Sequence, residues 1–305
     1  MSDKYFACFD IGGTAIKYGT GDSSGRLISR NEVPTETGGG QAVYRQVERL
    51  TEEMIDQFPL DGICISTAGV VDPEAGRIVY AGPTIPDYTG VEFRRPLEKR
   101  FGIRCEVEND VNCAGLAEQI FGAARESSVT LCVTVGTGIG GCLLIDGALY
   151  RGAGNAACEI GYMPFGCTDF QSAASASALS RTVARRKKEK PEDWDGRRIF
   201  AQAPEDIVCA DAVTETAINL GRGIAAVCCV VNPETVVLGG GVLEAEGYFE
   251  SVSDEIVSCL PEGLTRGLKI RPAEFGNDAG MIGALANFRR RTGNETNESV
   301  PESAK

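Results

Sequence analysis

Apolar and polar positions divide the chain into short buried runs and amphipathic stretches. Tyr5 to Phe9 reads as a strand, and Ala15 to Tyr18 as a second one beyond the turn Asp10-Ile11-Gly12-Gly13-Thr14. Arg26 to Val33 reads as a third strand. Val43, Val47, Leu50, Met54 and Phe58 recur at helical spacing, which predicts a helix over 41–58. Gly62 to Ser66 and Cys105 to Glu108 predict buried strands, and a helix is expected from Val111 to Phe121. Leu131 to Val135 and Cys142 to Ile145 flank a second glycine turn, Gly136-Thr137-Gly138-Ile139-Gly140-Gly141. Strand, glycine-threonine turn and strand therefore occur twice, the mark of a duplicated α/β domain. Downstream, helices are expected over 173–184 and 210–231, the latter stopped by Pro233. A strand at Thr235 to Leu238 ends in Gly239-Gly240-Gly241. A segment over 249–260, a strand over 268–270 and a last helix over 279–289 complete the pattern. The charged stretch 187–197, which carries Pro191, reads as an exposed connection.

Both glycine turns join strand to strand. The exit from the first is short and is followed by Gly19, Gly21 and Asp22-Ser23-Ser24-Gly25, the signal of a hairpin. Phosphate loops of the common kinds instead lead into a helix. A tight hairpin alone explains one such turn. Two of them, each with glycines that let backbone N–H groups approach an anion and a threonine hydroxyl beside them, point to nucleotide phosphates.

Composition narrows the chemistry. The chain of 305 residues is long enough for two domains, and 43% hydrophobic with 24% charged content is that of a soluble globular protein. A formal net charge of −13 argues against binding nucleic acid or an anionic membrane surface, and Arg185-Arg186-Lys187-Lys188 is read as a solvated helix face. No apolar run approaches the ~18 residues of a membrane span and no signal peptide is read, so a cytoplasmic location is expected. Cys8, Cys64, Cys132, Cys142, Cys228 and Cys229 sit in apolar segments and are read as small buried hydrophobes. Histidine is absent, which removes Ser-His-Asp and Cys-His catalysis and every histidine-liganded metal. Carboxylates, backbone amides and a metal that arrives with a substrate remain.

Candidate positions follow from this. Thr67 to Pro73 lies at a strand's carboxyl end, where ligand sites of α/β proteins gather. The loop over 81–88, stiffened by Pro83 and Pro86, either holds polar side chains against a ligand or merely connects. Asn109-Asp110 starts a helix, so either residue serves as a cap, or Asp110 faces a substrate as a catalytic carboxylate. Glu159, in a loop of small residues, reads alone as a solvated carboxylate.

Taken together, Asp10-Ile11-Gly12-Gly13-Thr14, Asn109-Asp110, Gly136 to Gly141, Glu159-Ile160-Gly161 and Gly239 to Gly241 resemble, in order and spacing, the ROK family of sugar kinases and repressors. The resemblance covers nearly the whole chain. It implies an actin/hexokinase-like (ribonuclease H-like) fold, duplicated α/β domains around a central cleft. The expected division is a small N-terminal domain over 1–112 with the C-terminal helix 279–292, a large domain over 113–278, and a disordered tail over 293–305. It further implies transfer of phosphate from ATP, with Mg²⁺, to a hexose hydroxyl, usually the 6-OH. Asp10, Gly12, Gly13, Thr14 and Lys17 would face the phosphates and Mg²⁺; Thr137, Gly138 and Gly140 would form the second phosphate loop. Gly240 and Gly241 would lie near the adenosine. Asp110 matches the general base and Asn109 its sugar-bonding neighbour, with Gly69, Thr84, Glu159, Tyr162 and Gln171 at the remaining sugar-facing positions. An ionised aspartate that orients a hydroxyl suffices for phosphoryl transfer, which needs no histidine.

Three departures from the family pattern bear on substrate. Tyr162 replaces the usual histidine, Gln171 stands where a glutamate is usual, and Thr84 where an asparagine is. Phe165 to Phe170 replaces the family's zinc-binding cysteine motif, so no zinc is expected. Zinc-less members with tyrosine here include N-acetylmannosamine kinases and β-glucoside kinases, and the segments 66–72 and 81–86 look more like the former. Glucokinase and β-glucoside kinase are the alternatives. A homodimer is the family's habit. Family repressors carry a DNA-binding module before the first glycine turn; only nine residues precede Asp10, which disfavours that reading.

Overall fold

The computed structural model describes residues 4–293, and the chain divides into two compact units. One holds the chain up to Cys113 together with the residues from Gly280 onward; the other is Ala114–Ala279.

In the first unit, β1 (Tyr5–Ile11), β2 (Ala15–Asp22) and β3 (Asn31–Pro34) form an antiparallel meander. The helix α1 (Gly40–Ile55) leads to β4 (Leu60–Thr67), and a small hairpin of β5 (Val70–Asp72) and β6 (Arg77–Tyr80) follows. Then come α2 (Arg94–Phe101), β7 (Arg104–Asn109) and the start of α3 (Asp110–Ile120), whose residues from Ala114 onward belong to the second unit. The sheet runs β3-β2-β1-β4-β7, with β4 parallel to both β1 and β7. Phe9, Ile63, Ile65 and Val107 are wholly buried in it, joined by Val43 and Val47 from the apolar stripe of α1. Central strands covered on both faces read as near-continuous apolar runs, as β4 does.

The third strand starts later than its sequence predicts. Ile28 and Ser29 both donate their N–H to the carbonyl of Thr20, which interrupts the ladder before Asn31. The stretch after Thr67, expected as a loop at a strand's carboxyl end, turns back at Gly69 (φ +96°) and leads into the β5–β6 hairpin. Helix α2 carries no apolar period, since only Leu97 is buried, and was invisible to pattern; Gly102 ends it in the left-handed conformation.

The second unit repeats this plan. β8 (Val129–Val135), β9 (Ile139–Ile145) and β10 (Ala148–Leu149) form the meander, followed by a short hairpin of β11 (Pro164–Phe165) and β12 (Thr168–Asp169). After α4 (Phe170–Ala174), α5 (Ala176–Lys187), α6 (Gly196–Gln202) and α7 (Ile207–Val231) come β13 (Thr235–Gly239), α8 (Tyr248–Cys259), α9 (Glu262–Thr265) and β14 (Lys269–Pro272). Its sheet order, β10-β9-β8-β13-β14, matches the first strand for strand, with β13 parallel to both neighbours.

Several expectations need correcting here. The helix over 173–184 is two helices, broken at Ser175, whose extended backbone lets its hydroxyl cap α5 on the Ala178 N–H at 3.1 Å. The supposed exposed connection buries Trp194, which carries Arg198 (4.2 Å) and Lys187 (4.9 Å) over its ring and donates to Glu189. Cys229, read as buried, is exposed. By length and composition α7 is long and apolar enough to cross a membrane, contrary to the sequence reading, and half of its most apolar stretch is buried in the unit.

The last helix, α10 (Ala279–Arg291), packs within the first unit. Gly283 lies on the backbone of Cys113, where a Cβ would come within 1.8 Å of its carbonyl oxygen, and Phe288 packs tilted against Phe6 and over Gly62. Arg291 reaches Glu106, a wholly buried carboxylate that also takes Arg94 and Arg104. The tail beyond Gly293, with its sequons at Asn294 and Asn297, lies outside the described residues.

Candidate active site

In the first unit, the turn between β1 and β2 is closed by Gly12 N–H to the Ala15 carbonyl at 3.0 Å. Thr35 ties down two of its carbonyls: its hydroxyl donates to Gly12 O at 2.7 Å and its N–H to Thr14 O at 3.0 Å. Holding the carbonyls on that side leaves Gly13 and Thr14 as the amide edge an anion can approach. Thr84 of the proline loop packs onto this turn, its methyl 2.1 Å from where a Gly13 Cβ would stand. Only glycine fits there.

Asp10 sits at the mouth of the turn. Its Oδ1 accepts the Ser66 hydroxyl at 2.8 Å, and Lys17 Nζ lies 3.9 Å from Oδ2. Gly280 in the first turn of α10 presses against the same carboxylate, since a Cβ there would come within 2.4 Å of Oδ1. Loss of hydration raises the Asp10 carboxyl, an effect that the Ser66 bond and then Lys17 oppose.

Asn109 and Asp110 divide the two roles their sequence left open. Asn109 is the cap: its Oδ1 accepts the N–H groups of Val111 (2.9 Å) and Asn112 (3.0 Å). Its amide nitrogen donates to Gly69 O at 3.0 Å and to Asp110 Oδ1 at 2.8 Å. Two donors and two acceptors are thereby all engaged within the protein. Asp110 Oδ1 also accepts the Val111 N–H at 2.9 Å, so the carboxylate is oriented from two sides. Behind it, the Tyr88 hydroxyl lies 2.6 Å from Thr67 Oγ1, and both residues are buried. Burial pushes the Tyr88 hydroxyl far up, Thr67 partly offsets this, and the charge of Asp110 adds to it.

The second unit holds the other two glycine turns, over 136–141 and 239–241. Gly240 (φ +114°) packs so closely on the end of β8 that a Cβ would lie 2.1 Å from Val135 O. The turn over 136–141 is therefore beside Gly240 and Gly241, at the carboxyl ends of adjacent parallel strands. Gly136 O accepts the Ala176 N–H at the start of α5, and Gly136 N–H donates to Gly138 O. Gln171 lies over Gly138 and Gly161: its Oε1 is 2.5 Å and 3.2 Å from where their Cβ atoms would stand. Thr137 and Tyr162 are exposed, and Gly140 lies in β9. Glu159 precedes a single 3₁₀ turn, Ile160–Tyr162, and partial loss of hydration raises its carboxyl.

Thus Asp10, Gly12, Gly13, Thr14, Lys17, Gly69, Thr84, Asn109 and Asp110 belong to the first unit, and the remaining candidates to the second. Ser66, Thr35, Tyr88 and Gly280 were not singled out from sequence. They join the site through strand register and packing, which composition does not reveal.

The model of the ROK family matches residues 6–291. The chain belongs to the ROK family. A β-glucoside kinase of Klebsiella pneumoniae is 32% identical over 293 residues, 93% of this chain and 96% of that protein. A solved structure of a putative N-acetylmannosamine kinase of Listeria monocytogenes is 29% identical, covers 94% of this chain and 99% of its own, and superposes with a TM-score of 0.85. A ROK family glucokinase of Streptomyces griseus, solved with glucose and AMPPNP, is 26% identical with a TM-score of 0.81, covering 95% of this chain and all of that one. The fold is that of ROK hexokinases and glucokinases, and full-length relatives of this kind make the chain a sugar kinase.

Proposed function

We propose that the chain phosphorylates the 6-hydroxyl of an N-acetylhexosamine with ATP, N-acetylmannosamine foremost. The observation that carries the chemistry is Asp110, held at the start of α3 by Asn109 and by the Val111 amide. Asp110 accepts the proton of the attacking hydroxyl and fixes its direction; phosphoryl transfer asks little more of a side chain. Among the described residues no three His, Cys, Asp or Glu side chains gather as ligands for a metal. Asp10, at the mouth of the first glycine turn, fits Mg²⁺, which binds through one or two carboxylates and the phosphates of its substrate. Asp10 would hold it, with Lys17 and the amide edge of Gly13 and Thr14 against the phosphates. Bound Mg²⁺ neutralises charge on the transferring group. In the second unit, the turns over 136–141 and 239–241 offer backbone amides rather than charge, which suits close approach by a nucleotide. ATP as donor supports a cytoplasmic enzyme.

The sugar is argued from Gln171. A carboxylate only accepts hydrogen bonds, and so suits the hydroxyls of glucose. A primary amide both donates and accepts, and so suits an N-acetyl group, with its carbonyl and N–H; the ring of Tyr162 suits the methyl. The name of the Listeria structure supports this reading. A second reading, a β-glucoside kinase, is favoured by the Klebsiella relative, and the amide suits it too, because a glycosidic oxygen offers no proton.

ADP release measured with Mg·ATP and N-acetylmannosamine, N-acetylglucosamine, glucose and cellobiose separates these. Turnover centred on N-acetylmannosamine, lost in Asp110→Asn, is expected. Preference for cellobiose would move the substrate to β-glucosides. Turnover that survives Asp110→Asn would return Asp110 to a purely structural place.

A further inference from the structure

Three adjacent strands place Asp10, Ser66 and Glu108 in one lateral row: Asp10 pairs with Ser66 across β1 and β4, and Ser66 with Glu108 across β4 and β7. Residues in register on neighbouring strands point to the same face of the sheet. Ser66 is wholly buried and stands between two carboxylates, with a single proton to give. Glu108 is already served, its Oε1 accepting the Asn109 N–H at 2.9 Å and the Asn112 amide at 3.0 Å. The serine proton goes to Asp10 Oδ1 at 2.8 Å, and Cys113 lies against the same hydroxyl from α3. On its other side Asp10 meets the backbone of Gly280, which bounds the space around the carboxylate there.

We infer that Ser66 is a positioning residue for the nucleotide-bound metal: it fixes Asp10 through Oδ1, so that Oδ2, the oxygen toward Lys17, is turned to Mg·nucleotide. The inference rests on the kinase reading above. A rigid carboxylate binds the cation without first losing rotational freedom; freed from Ser66, it has that cost to meet on binding.

The full-length protein is titrated calorimetrically with Mg·ADP and, separately, with ADP in excess chelator, as wild type, Ser66→Ala and Ser66→Cys. Hydrogen bonds to charged groups predict about a tenfold loss of Mg·ADP affinity in Ser66→Ala. Metal-free ADP and sugar affinity are expected to stay level. Ser66→Cys, which keeps a weak donor of similar size in the buried site, should recover part of the loss. The Mg²⁺ concentration for half-maximal turnover should rise in parallel. A merely structural serine would lower metal-free ADP, Mg·ADP and sugar binding alike, and that result overturns the inference. So does a folded Ser66→Ala or Ser66→Cys protein that binds Mg·ADP as wild type does. Failure of the wild type itself to bind Mg·ADP or turn over would instead sink the kinase reading, and this inference with it.

Discussion

Asn109 gives the sharpest test of how the site is built, because a sugar ligand and a positioning residue answer differently to the same substitution. Asn109→Ser keeps an oxygen at the start of α3, where serine is a good cap. It removes both amide donors, those now 3.0 Å from Gly69 O and 2.8 Å from Asp110 Oδ1. The second is charge-assisted, worth about 1.5–3 kcal/mol. Without it Asp110 keeps only the Val111 N–H among the bonds described above and gains freedom to rotate. Misplacement of a reacting group by about 1 Å costs on the order of 10²-fold. We therefore expect kcat to fall by roughly 10- to 100-fold while KM for the sugar stays within about twofold. Asn109→Ala should match it in kcat and lose a further ~1 kcal/mol of stability with the cap, about 2–4 °C in Tm. Steady-state kinetics with the preferred sugar, beside thermal unfolding, reads both. A KM raised by about tenfold at preserved kcat would refute the reasoning, since it would mean that Asn109 binds sugar directly.

Other expectations follow the same logic. Glu106→Gln leaves Arg94, Arg104 and Arg291 around a neutral acceptor; because Arg104 is half exposed, the cost should be about 2–3 kcal/mol in urea unfolding, below that of a fully enclosed pair. Gly240→Ala, at φ +114° with Val135 O 2.1 Å from the new Cβ, should cost at least about 2 kcal/mol, whereas Gly241→Ala, in open space, should stay within about 0.5; equal costs would contradict the packing. Lys187 first, and the Val208 and Cys209 amides besides, hold the Asp206 carboxyl below its ordinary value. Its folded pKa is thus under the unfolded value of about 3.9. The stabilisation is present above that value and is lost as pH falls through the folded one, so Asp206→Asn should flatten the acid limb of Tm against pH. An unchanged acid limb would exclude Asp206 as a contributor. Gln171→Glu should move preference toward glucose in the sugar panel; an unmoved ranking would remove Gln171 from substrate selection.

What the sequence disclosed follows from how each feature is encoded. The two hairpins were legible because glycines interrupt apolar runs, and the repeated pattern announced the matching sheets. The Asn109–Asp110 pair was legible as a helix start, yet which residue caps depended on rotamers. The break at Ser175 was hidden because three serines recur between Ala173 and Ala184, and nothing in the composition tells the one that caps from the others. Trp194 was lost inside a charged stretch, since cations stacked on a ring look in sequence like solvated residues. Ser66 carries no local signal at all. Its meaning arises only when strand register sets it beside Asp10, 56 residues away.

The duplication also explains why the two units differ chemically. In its lateral row the first unit carries Asp10, Ser66 and Glu108, followed at once by Asn109 and Asp110, while in the second unit Thr134 pairs with Gly239 across β8 and β13. One sheet sets two carboxyl groups about a serine hydroxyl; the other sets a threonine beside a glycine in the matching register. A substitution in the first unit's row therefore changes charge or proton placement, and a conservative polar replacement can rescue it. At Gly240 in the second unit any side chain acts as an obstruction, whatever its polarity, because Val135 backbone occupies the space. The same strand plan thus carries polar side chains in one unit and close-packed backbone at Gly240 in the other, and the two answer differently to substitution.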